Sequence, residues 1–458
     1  MFLGDKILIE KRFYMFENKK IFIFGMARSG YECAKLLSQY TSHILVTDGK
    51  DQDPIHVKEL ENLGVEVVIT NNPEELLDET YDFVVKNPGI IKTHSCILKA
   101  KELSIPVINE VEVAYHLLPE DVKIVGITGS NGKTTTTTMI YEVLKQANLP
   151  VYLGGNIGYP VCSLVDKVKS GDILVLEISD HQLVDVKDFK TNISILTNLS
   201  EVHIDFHGDY ETYKQMKKKI FMAHTSSDLA ILNLENKDSM ELCKDIQSKK
   251  EFFSSKQKAD ACIQDDFILY KNEKIISLDE IKIKGMHNYE NIMCMIMAVK
   301  EFDVSSEIIQ DYLKNFGGVE HRIEYVTEKR GVTFYNDSKA TNTDSTIIAL
   351  DSFTKPTILI LGGLDRGHSF DPLKDHLKNT KEMICYGETK HRIKEFADQI
   401  GIPCKVVETL KEATKISYED AKDGDVVLFS PACASWDQYE NFEIRGTEFK
   451  TSIEELQV

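Results

Sequence analysis

The sequence lacks an excess of basic residues. Of its 458 residues, 54 are lysine or arginine and 73 are aspartate or glutamate, which gives a formal net charge of −19. A protein that covers a phosphate backbone usually presents a basic face, so this balance argues against a nucleic-acid partner. It leaves room for local basic pockets that hold single phosphate groups.

Long apolar runs and a secretory leader are also missing. No stretch approaches the roughly 20 apolar residues of a membrane-spanning helix, and the N-terminal residues lack an apolar core followed by small residues. We therefore expect no membrane span and a cytoplasmic location. Met15 directly precedes the first strand-like segment, so the sequence leaves open whether Met1 or Met15 is the start.

The sequence also lacks closely spaced cysteine pairs. The nine cysteines are dispersed and form no C-x-x-C motif, a usage typical of reduced, mostly buried thiols in cytosolic proteins. Cys433, in the stretch SPACASW, could suggest a nucleophile, but the sequence indicates no histidine and asparagine partners for it. A small buried thiol is the interpretation that we favour for Cys433.

Strand-like and helix-like segments alternate along almost the whole chain. KIFIFGMARSGYECAKLLSQY, for example, reads as a strand, a glycine turn and a helix. Such alternation predicts an α/β protein with mainly parallel sheets. We predict three domains: a Rossmann-like N-terminal domain over residues 1–112, a central P-loop ATPase-type domain over 113–318 and a Rossmann-like C-terminal domain over 319–458.

The stretch GITGSNGKTTTTT, residues 126–138, has the composition of a phosphate-binding loop that runs into a helix. Gly129 and Gly132 allow the backbone to approach an anion, Lys133 supplies a positive charge, and the helix N-terminus adds its dipole. Thr134 is placed to reach a magnesium ion with its hydroxyl group. The alternative is an ordinary glycine turn with a surface lysine, because the first glycine of the strict G-x-x-x-x-G-K-[ST] pattern is replaced.

The variant T-G-x-x-G-K-[ST] resembles the phosphate loop of the Mur ligase family, whose members activate a carboxylate with ATP and couple it to an amine. The resemblance covers the chain from about Lys19 onward and implies ATP and two magnesium ions as cofactors. It assigns ten residues to ATP: Gly129, Asn131, Gly132, Lys133, Thr134, Thr135, Asn288, Asn291, Arg322 and Asp337.

For Asn288 and Asn291, the spacing along the sequence provides a separate argument for nucleotide binding. Asn288 and Asn291 in GMHNYENIM stand at positions i and i+3, on one face of a helix, and two amides suit the donor and acceptor edge of adenine. A helix cap plus a surface amide explains the same spacing. Arg322, in GVEHRIE, is matched by the resemblance to an arginine that reaches the ATP phosphates, and a surface salt bridge is its alternative.

Metal ligands are implied at three further positions. Glu177 ends the strand-like segment ILVLE, and the resemblance makes it the first magnesium ligand together with Thr134. His203 is implied as a ligand of the second magnesium. Lys217 matches a lysine that carbon dioxide carbamylates, and it is implied as catalytic with Lys133 and His203; a solvated helix face of three successive lysines is the alternative.

The first glycine turn, GMARSG, lacks the middle glycine of G-x-G-x-x-G, so a dinucleotide is a weak expectation and a UDP-sugar fits as well. The family often reads E-x-S-S-F-Q-L where this chain has EISDHQL, so the role of Asp180 and His181 is open. The resemblance assigns seven residues to the UDP-substrate: Arg28, Ser29, Asp48, Lys50, Asn156, Ser179 and Gln182. For Lys50, simple surface charge is the alternative.

Two stretches of the third domain, YNDSKATN and SPACASWDQYENFEIRG, match the branch of the family that adds D-glutamate to UDP-N-acetylmuramoyl-L-alanine. The resemblance therefore implies these two small-molecule substrates, an acyl-phosphate intermediate and a monomeric enzyme. Trp436 alone could equally be a core aromatic residue. The implied D-glutamate pocket consists of Lys339, Thr341, Arg366, Ser435, Trp436 and Phe442.

Three other functions stay open at this point. A sister Mur ligase or a folylpolyglutamate-type ligase shares the phosphate loop but not SPACASWDQ. A dinucleotide oxidoreductase would need the missing glycine, and a nucleotide-dependent switch protein would not need an amino-acid pocket. The sequence does not identify the base that deprotonates the amine; His203 is a candidate only if it does not bind metal.

Overall fold

The computed structural model describes residues 15–201 and 204–456. The chain divides into two compact units, one formed by residues up to Ser277 together with Tyr289–Gln310, the other by Leu278–Asn288 together with the residues from Asp311 onward. Within the described residues, no helix combines the length and the apolar character that crossing a membrane requires.

The first sheet has five strands in the order β3-β2-β1-β4-β5, and all of them are parallel. This is the strand order of a Rossmann-type half-sheet. The chain adds β2 and β3 on one side of β1 and then crosses over to add β4 and β5 on the other side. The elements are β1 Ile21–Phe24, α1 Arg28–Leu37, β2 Ile44–Asp48, α2 Pro54–Asn62, β3 Glu66–Ile69, β4 Phe83–Lys86, α3 Ser95–Glu102, β5 Val107–Ile108 and α4 Glu110–Leu117.

The central sheet has nine strands in the order β14-β13-β12-β11-β10-β9-β6-β8-β7. Only the pairs β12–β13 and β13–β14 are antiparallel. The elements are β6 Lys123–Thr128, α5 Lys133–Gln146, β7 Val151–Gly155, β8 Ile173–Glu177, α6 Asp180–Leu183, β9 Ile193–Leu196, α7 Ile204–His207, α8 Tyr210–Lys218, β10 Leu229–Asn233, α9 Lys237–Leu242, β11 Lys249–Ser254, β12 Ala261–Gln264, β13 Phe267–Tyr270, β14 Glu273–Ser277, α10 Met286–Lys300 and α11 Ser306–Asn315.

The third sheet has six strands in the order β15-β16-β20-β17-β18-β19, of which only β15 and β16 pair antiparallel. Its central strands are continuous apolar runs that are fully buried, as expected for parallel strands covered on both faces. The elements are β15 Glu324–Lys329, β16 Val332–Asn336, α12 Thr343–Asp351, β17 Thr357–Gly362, β18 Thr380–Tyr386, α13 Lys390–Ile400, β19 Cys404–Val406, α14 Leu410–Asp420, β20 Val426–Phe429 and α15 Phe442–Glu454.

The α/β class and the three mainly parallel sheets agree with the fold expected from the alternating pattern. In such sheets the carboxyl ends of neighbouring strands share one edge, where ligands collect. The loops that follow β1, β6, β8, β16, β17 and β20 carry most of the candidate site residues. The domain boundaries at residues 112 and 318 stay a prediction.

Candidate functional site

The phosphate loop connects β6 to α5 in a conformation that needs glycine. Gly129 and Gly132 have φ angles of +143° and +82°, and a Cβ atom on Gly132 would lie 2.2 Å from Oδ1 of Asn291. Lys133 starts α5, and its Nζ donates to the carbonyl oxygens of Gly129 and Ser130, at 2.9 Å each. The ammonium group therefore lies over the loop, where a phosphate oxygen could replace these carbonyls.

Backbone and side-chain contacts from the neighbouring strand hold the loop in place. The amide of Asn131 donates to Oδ1 of Asn198 at 3.0 Å, and Oγ1 of Thr197 donates to the carbonyl of Asn131 at 2.6 Å. Asn131 itself is exposed, Thr134 is half-buried and Thr135 is buried. The first helical turn thus presents Thr134 rather than Thr135 toward solvent.

Glu177 lies beside the phosphate loop because β8 pairs with β6, with Ile127 opposite Glu177. Its side chain is buried, and Oε1 accepts a hydrogen bond from Nδ2 of Asn156 at 2.6 Å. Oε2 has no hydrogen-bond partner among the described residues. A buried carboxylate oxygen left without a partner is costly and fits a hard cation such as Mg²⁺.

Lys217 is completely buried, so the solvated-face alternative is wrong for this residue. Its Nζ donates to Oγ1 of Thr128 at 3.1 Å and lies 3.2 Å from Oδ1 of Asp180. Burial, followed by the positive charge of Lys133, lowers the pKa of Lys217 to about 7, against the attraction of Asp180. A large fraction of this amine is therefore neutral near physiological pH.

The two lysines that follow are partly exposed and have other partners. Lys218 pairs with the exposed Asp245 at 2.7 Å. Lys219 donates to the carbonyl oxygens of Val184 and Val186 at 2.6 and 3.2 Å. Of the three lysines, Lys217 is the one that is fully buried near the phosphate loop, and it is also the one that the resemblance singled out.

Asp180, whose role the sequence left open, is the centre of a buried ionic cluster. Its Oδ2 lies 2.7 Å from Nε2 of His207 and 3.2 Å from Nδ1 of His181. Burial lowers the pKa of His207 despite this carboxylate. The sequence analysis did not assign His207, which lies at the end of α7, shortly before α8. His203 lies outside the described residues.

The two asparagines assigned to adenine make different contacts. Oδ1 of the buried Asn291 accepts from Oγ1 of Thr136 at 3.3 Å, next to the phosphate loop. Nδ2 of Asn288 donates to the carbonyl of Lys284 at 2.9 Å, one turn earlier in the chain. Asn291 is therefore tied to α5, and adenine binding by either amide stays a prediction.

Asp48 holds the glycine turn of the first sheet. Its Oδ2 accepts from the backbone amide of Met26 at 2.8 Å, and its Oδ1 accepts from the amide of Lys50 at 3.0 Å. The Lys50 side chain is exposed. Asp48 thus fixes the position of the turn, and both residues keep their predicted role in binding the UDP-substrate.

The switch point of the first sheet brings Ser29 next to the loop after β4. Oγ of Ser29 accepts from Nδ2 of Asn87 at 3.2 Å. The guanidinium of Arg28 donates to the carbonyl of Gly158, two residues beyond the exposed Asn156. The structure therefore gathers three of the predicted UDP-substrate residues with Asn87, which the sequence interpretation did not assign although an N-P-G turn marks it.

Ser179 and Gln182 form a capping box at the start of α6. Oγ of Ser179 accepts from the amide of Gln182 at 3.2 Å, and Oε1 of Gln182 accepts from the amide of Ser179 at 2.9 Å. The S-x-x-Q spacing could have indicated this cap. Both polar side chains already have local partners, and their role in substrate binding stays a prediction.

Arg322 and Asp337 lie together beneath the third sheet's edge. Asp337 is buried and accepts from Oγ of Ser430 at 2.7 Å and from the amide of Ile323 at 3.2 Å. Burial raises its pKa to about 7 against the opposing charges of Arg322 and Arg445. Nε of Arg322 is buried with no hydrogen-bond partner in the described part of the chain, which does not fit the surface salt bridge considered above.

Two pairs of residues line the edge where β16, β17 and β20 end. Nζ of Lys339 lies 5.5 Å from the ring centre of Phe442, and the Arg366 guanidinium lies 4.6 Å from the ring centre of Trp436. Trp436 is 63% exposed, so the core-aromatic alternative is wrong. Thr341 is half-buried and Ser435 is buried on the same loops. Two cation–aromatic pairs therefore lie at this edge.

Arg445, on α15, is a residue that the sequence interpretation missed. It is fully buried, and its guanidinium donates to the carbonyl of Ser338 at 2.7 Å and to the carbonyl of Cys433 at 3.0 Å. It thereby connects the loop that carries Lys339 to the loop that carries Ser435. Burial raises the pKa of Cys433 to about 11, which agrees with an inert thiol rather than a nucleophile.

Models of three protein domains match the chain in succession. They are described as "Mur ligase MurD-like, N-terminal domain" for residues 19–109, "Mur ligase middle domain" for residues 127–299 and "Mur ligase, glutamate ligase domain" for residues 321–433. The middle model covers the phosphate loop, Glu177 and Lys217. The last one includes Arg322, Lys339 and Arg366.

Curated proteins with high similarity span nearly the full chain. A UDP-N-acetylmuramoylalanine–D-glutamate ligase of Streptococcus agalactiae is 43% identical over 96% of this chain and 98% of its own. One from Bacillus thuringiensis is 41% identical with the same coverage. Among solved structures, UDP-N-acetylmuramate-alanine ligase MurC from Thermotoga maritima superposes with a TM-score of 0.59 at 19% identity, over 95% of this chain and 99% of that one. This last match shows the fold alone.

Proposed function

The chain belongs to the Mur ligase family, and from this membership we propose that it is the ATP-dependent ligase that adds D-glutamate to UDP-N-acetylmuramoyl-L-alanine. The reaction forms an amide and converts ATP to ADP and phosphate, as a step of peptidoglycan precursor synthesis. The observation that carries the proposal is the arrangement of Lys133 on the phosphate loop beside Glu177, whose Oε2 has no partner among the described residues.

The proposed chemistry has two steps. The carboxylate of UDP-N-acetylmuramoyl-L-alanine attacks the γ-phosphorus of ATP and gives an acyl phosphate and ADP. The amine of D-glutamate then attacks the acyl carbon, and the tetrahedral intermediate expels phosphate after the amine has lost a proton. Lys133 stabilises the negative charge on the transferred phosphoryl group, since it begins α5 and its ammonium lies over the phosphate loop, at the carbonyls of Gly129 and Ser130.

Glu177 and Thr134 suit a first magnesium ion. These residues fit a magnesium ion for two reasons. Oε2 of Glu177 is buried and has no hydrogen-bond partner among the described residues, and β8, which ends at Glu177, pairs with β6, the strand that precedes the phosphate loop. When bound, magnesium neutralises charge on the phosphate oxygens and orients them for in-line attack. Glu177 contributes by keeping its other oxygen bonded to Asn156, which fixes the carboxylate in one orientation.

A second magnesium ion and carbamylation of Lys217 belong together in this proposal. The amine is buried and its pKa is about 7, which supplies the neutral form that carbon dioxide requires. Asp180 lies 3.2 Å away, so a carbamate would place two anions side by side. A second cation, held with His203, would offset their repulsion.

The remaining assignments are proposed on the same basis. Residues 1–112 bind the UDP-substrate, 113–318 bind ATP and 319–458 bind D-glutamate, in a monomeric enzyme of the cytoplasm with small-molecule substrates. ATP contacts Gly129, Asn131, Gly132, Thr135, Asn288, Asn291, Arg322 and Asp337; the UDP-substrate contacts Arg28, Ser29, Asp48, Lys50, Asn156, Ser179 and Gln182; D-glutamate contacts Lys339, Thr341, Arg366, Ser435, Trp436 and Phe442.

Phosphate release from ATP tests the proposed reaction. The assay contains UDP-N-acetylmuramoyl-L-alanine and, separately, D-glutamate, L-glutamate, L-alanine or L-lysine. Release that needs both substrates and accepts D-glutamate alone is the expected result. Release with a different amino acid would assign the chain to another branch of the family and withdraw the pocket. Release without any acceptor requirement would contradict ligase activity.

A further inference from the structure

Two cysteine thiols of the third sheet lie next to each other. Sγ of Cys385 is 3.4 Å from Sγ of Cys404. Cys385 is near the end of β18, and Cys404 begins β19, the last strand in the order of the sheet. Cys404 pairs with Met383, and side chains alternate along a strand, so Cys385 and Cys404 project from the same face.

This pair is close enough to be joined covalently with a small movement. A disulfide has its sulfur atoms about 2.05 Å apart, so the two Sγ atoms need to approach by roughly 1.4 Å. Strand β19 is three residues long and, among the described residues, is the edge strand of the sheet, paired with β18. A short terminal strand can shift by that amount more easily than a strand in the centre of a sheet.

The two thiols differ in a way that gives each a separate role. Cys404 is partly exposed, whereas Cys385 is buried. The hydrogen bond from Cys385, together with the charge of Lys394, lowers the pKa of Cys404, while partial burial, Asp398 and Glu382 oppose this shift. Cys404 is therefore the thiol that is accessible to a small oxidant and that forms the thiolate more readily. Cys385 is the buried neighbour that can react with oxidised Cys404.

We propose that Cys385 and Cys404 form a redox-active dithiol site that hydrogen peroxide oxidises to an intramolecular disulfide. The Cys404 thiolate attacks one peroxide oxygen, the O–O bond breaks, and hydroxide leaves, which gives a sulfenic acid. The sulfur of Cys385 then attacks the sulfenic sulfur and displaces its oxygen as water. In sum, two thiols and one peroxide give one disulfide and two water molecules.

The site is selective because the other thiols are shielded. The remaining seven of the nine cysteines are all buried. Cys162 and Cys33 interact through a hydrogen bond, but both are buried, and burial raises the pKa of Cys162 well above its usual value. This second pair is an internal control, since it offers two neighbouring thiols without access to the oxidant.

The position of the dithiol connects it to the proposed D-glutamate pocket, and this part of the inference rests on the proposed function. Directly after β18, the amide of Thr389 donates to the carbonyl of Gly363 at 3.1 Å, and the amide of Glu388 donates to Asp437 at 3.2 Å. These contacts hold the two loops that carry Arg366 and Trp436. We expect the disulfide to raise KM for D-glutamate several-fold.

Peptide mapping of the full-length protein tests the site without reference to catalysis. The reduced, folded protein is treated with hydrogen peroxide, the peroxide is removed, free thiols are blocked with N-ethylmaleimide in denaturant, and the digest is analysed by mass spectrometry. The expected product is a linked pair of peptides that contains Cys385 and Cys404, lacks two hydrogens and is reversed by dithiothreitol. The peptides of Cys33 and Cys162 are expected to carry N-ethylmaleimide instead.

Two variants separate the roles of the thiols. Cys385→Ser should stop at a sulfenic acid on Cys404, which dimedone traps, and Cys404→Ser should leave Cys385 reduced. A thermal unfolding curve like that of the wild type confirms that each variant is folded. Absence of the linked peptides, or equal oxidation of Cys33 and Cys162, would overturn the proposal.

Kinetics on the oxidised and re-reduced protein test the connection to the pocket. A several-fold increase of KM for D-glutamate that dithiothreitol reverses, with KM for ATP unchanged, is the expected result. An unchanged KM for D-glutamate in the fully linked protein would overturn that connection. Failure of the proposed function would be recognised separately, because the reduced protein would then show no D-glutamate-dependent phosphate release.

Discussion

Oδ1 of Asp180 lies 3.2 Å from Nζ of Lys217, and both side chains are withdrawn from solvent, with 1% and 0% of their surface exposed. A buried ion pair contributes little by itself, but the loss of one partner leaves an uncompensated charge. In this chain Lys217 can also lose its charge by deprotonation, because its pKa is only about 7.

Asp180→Asn is therefore expected to destabilise the fold in a pH-dependent manner. Removal of the carboxylate should lower the free energy of unfolding by about 3 kcal/mol where Lys217 is protonated. The loss should shrink above pH 7, since the amine is then largely neutral. Urea unfolding of wild type and variant below and above that pH measures the difference; an equal loss at both would contradict the assigned ion pair.

Lys133→Ala should abolish most ATP turnover and leave the fold intact. The lysine donates to the loop carbonyls of Gly129 and Ser130, while its charge stabilises the transferred phosphoryl group in our proposal. We expect kcat/KM for ATP to fall by about 100-fold or more. Lys218→Ala, which removes a partly exposed lysine paired with Asp245, is the matched control and should keep wild-type kinetics.

Arg366→Ala should weaken binding of D-glutamate selectively. Arg366 is exposed and its guanidinium lies 4.6 Å from the Trp436 ring centre; in our proposal it pairs with a carboxylate of the ligand. Loss of a charged hydrogen bond of about 1.5–3 kcal/mol corresponds to a KM increase of roughly 10-fold to 100-fold. Steady-state kinetics with Lys394→Ala as a surface control measure it, and a change confined to KM for ATP would refute the pocket.

His224 should make the protein sensitive to acid. Burial lowers its pKa from 6.5 to about 4, and its ring bonds to Thr191 at 2.8 Å and to Ser248 at 2.8 Å. The unfolded chain binds the proton first, so unfolding becomes easier as pH falls from 6.5 towards 4, by up to roughly 3 kcal/mol. Urea unfolding across this range should show a shallower pH dependence for His224→Gln; identical slopes would exclude His224 as the cause.

Several site residues could be identified from the sequence because their local pattern is sufficient. Gly129 and Gly132 needed only the turn chemistry of a loop between a strand and a helix, and their positive φ angles agree. The resemblance singled out Lys217 among three successive lysines, and its burial agrees with that choice. Their roles in the reaction stay predictions.

Other residues could not be found from local patterns because their partners are far away in the chain. Arg445 acquires its role from Ser338 and Cys433, which approach it only when β16, β20 and α15 pack together. Cys385 and Cys404 are 19 residues apart and become neighbours through the pairing of β18 with β19. Asp180 likewise meets Lys217 only after α6 and α8 have folded against the central sheet.

The sequence by itself determined the α/β class, the order of strands and helices, the phosphate loop and the family, since alternation, glycine placement and short motifs are local properties of the chain. Only the tertiary structure decided which polar groups are withdrawn from water and which partners they meet. Burial and pairing set the pKa of Lys217, leave Oε2 of Glu177 without a partner and expose Trp436. These properties depend on contacts between distant segments, because desolvation and charge act through space rather than along the chain.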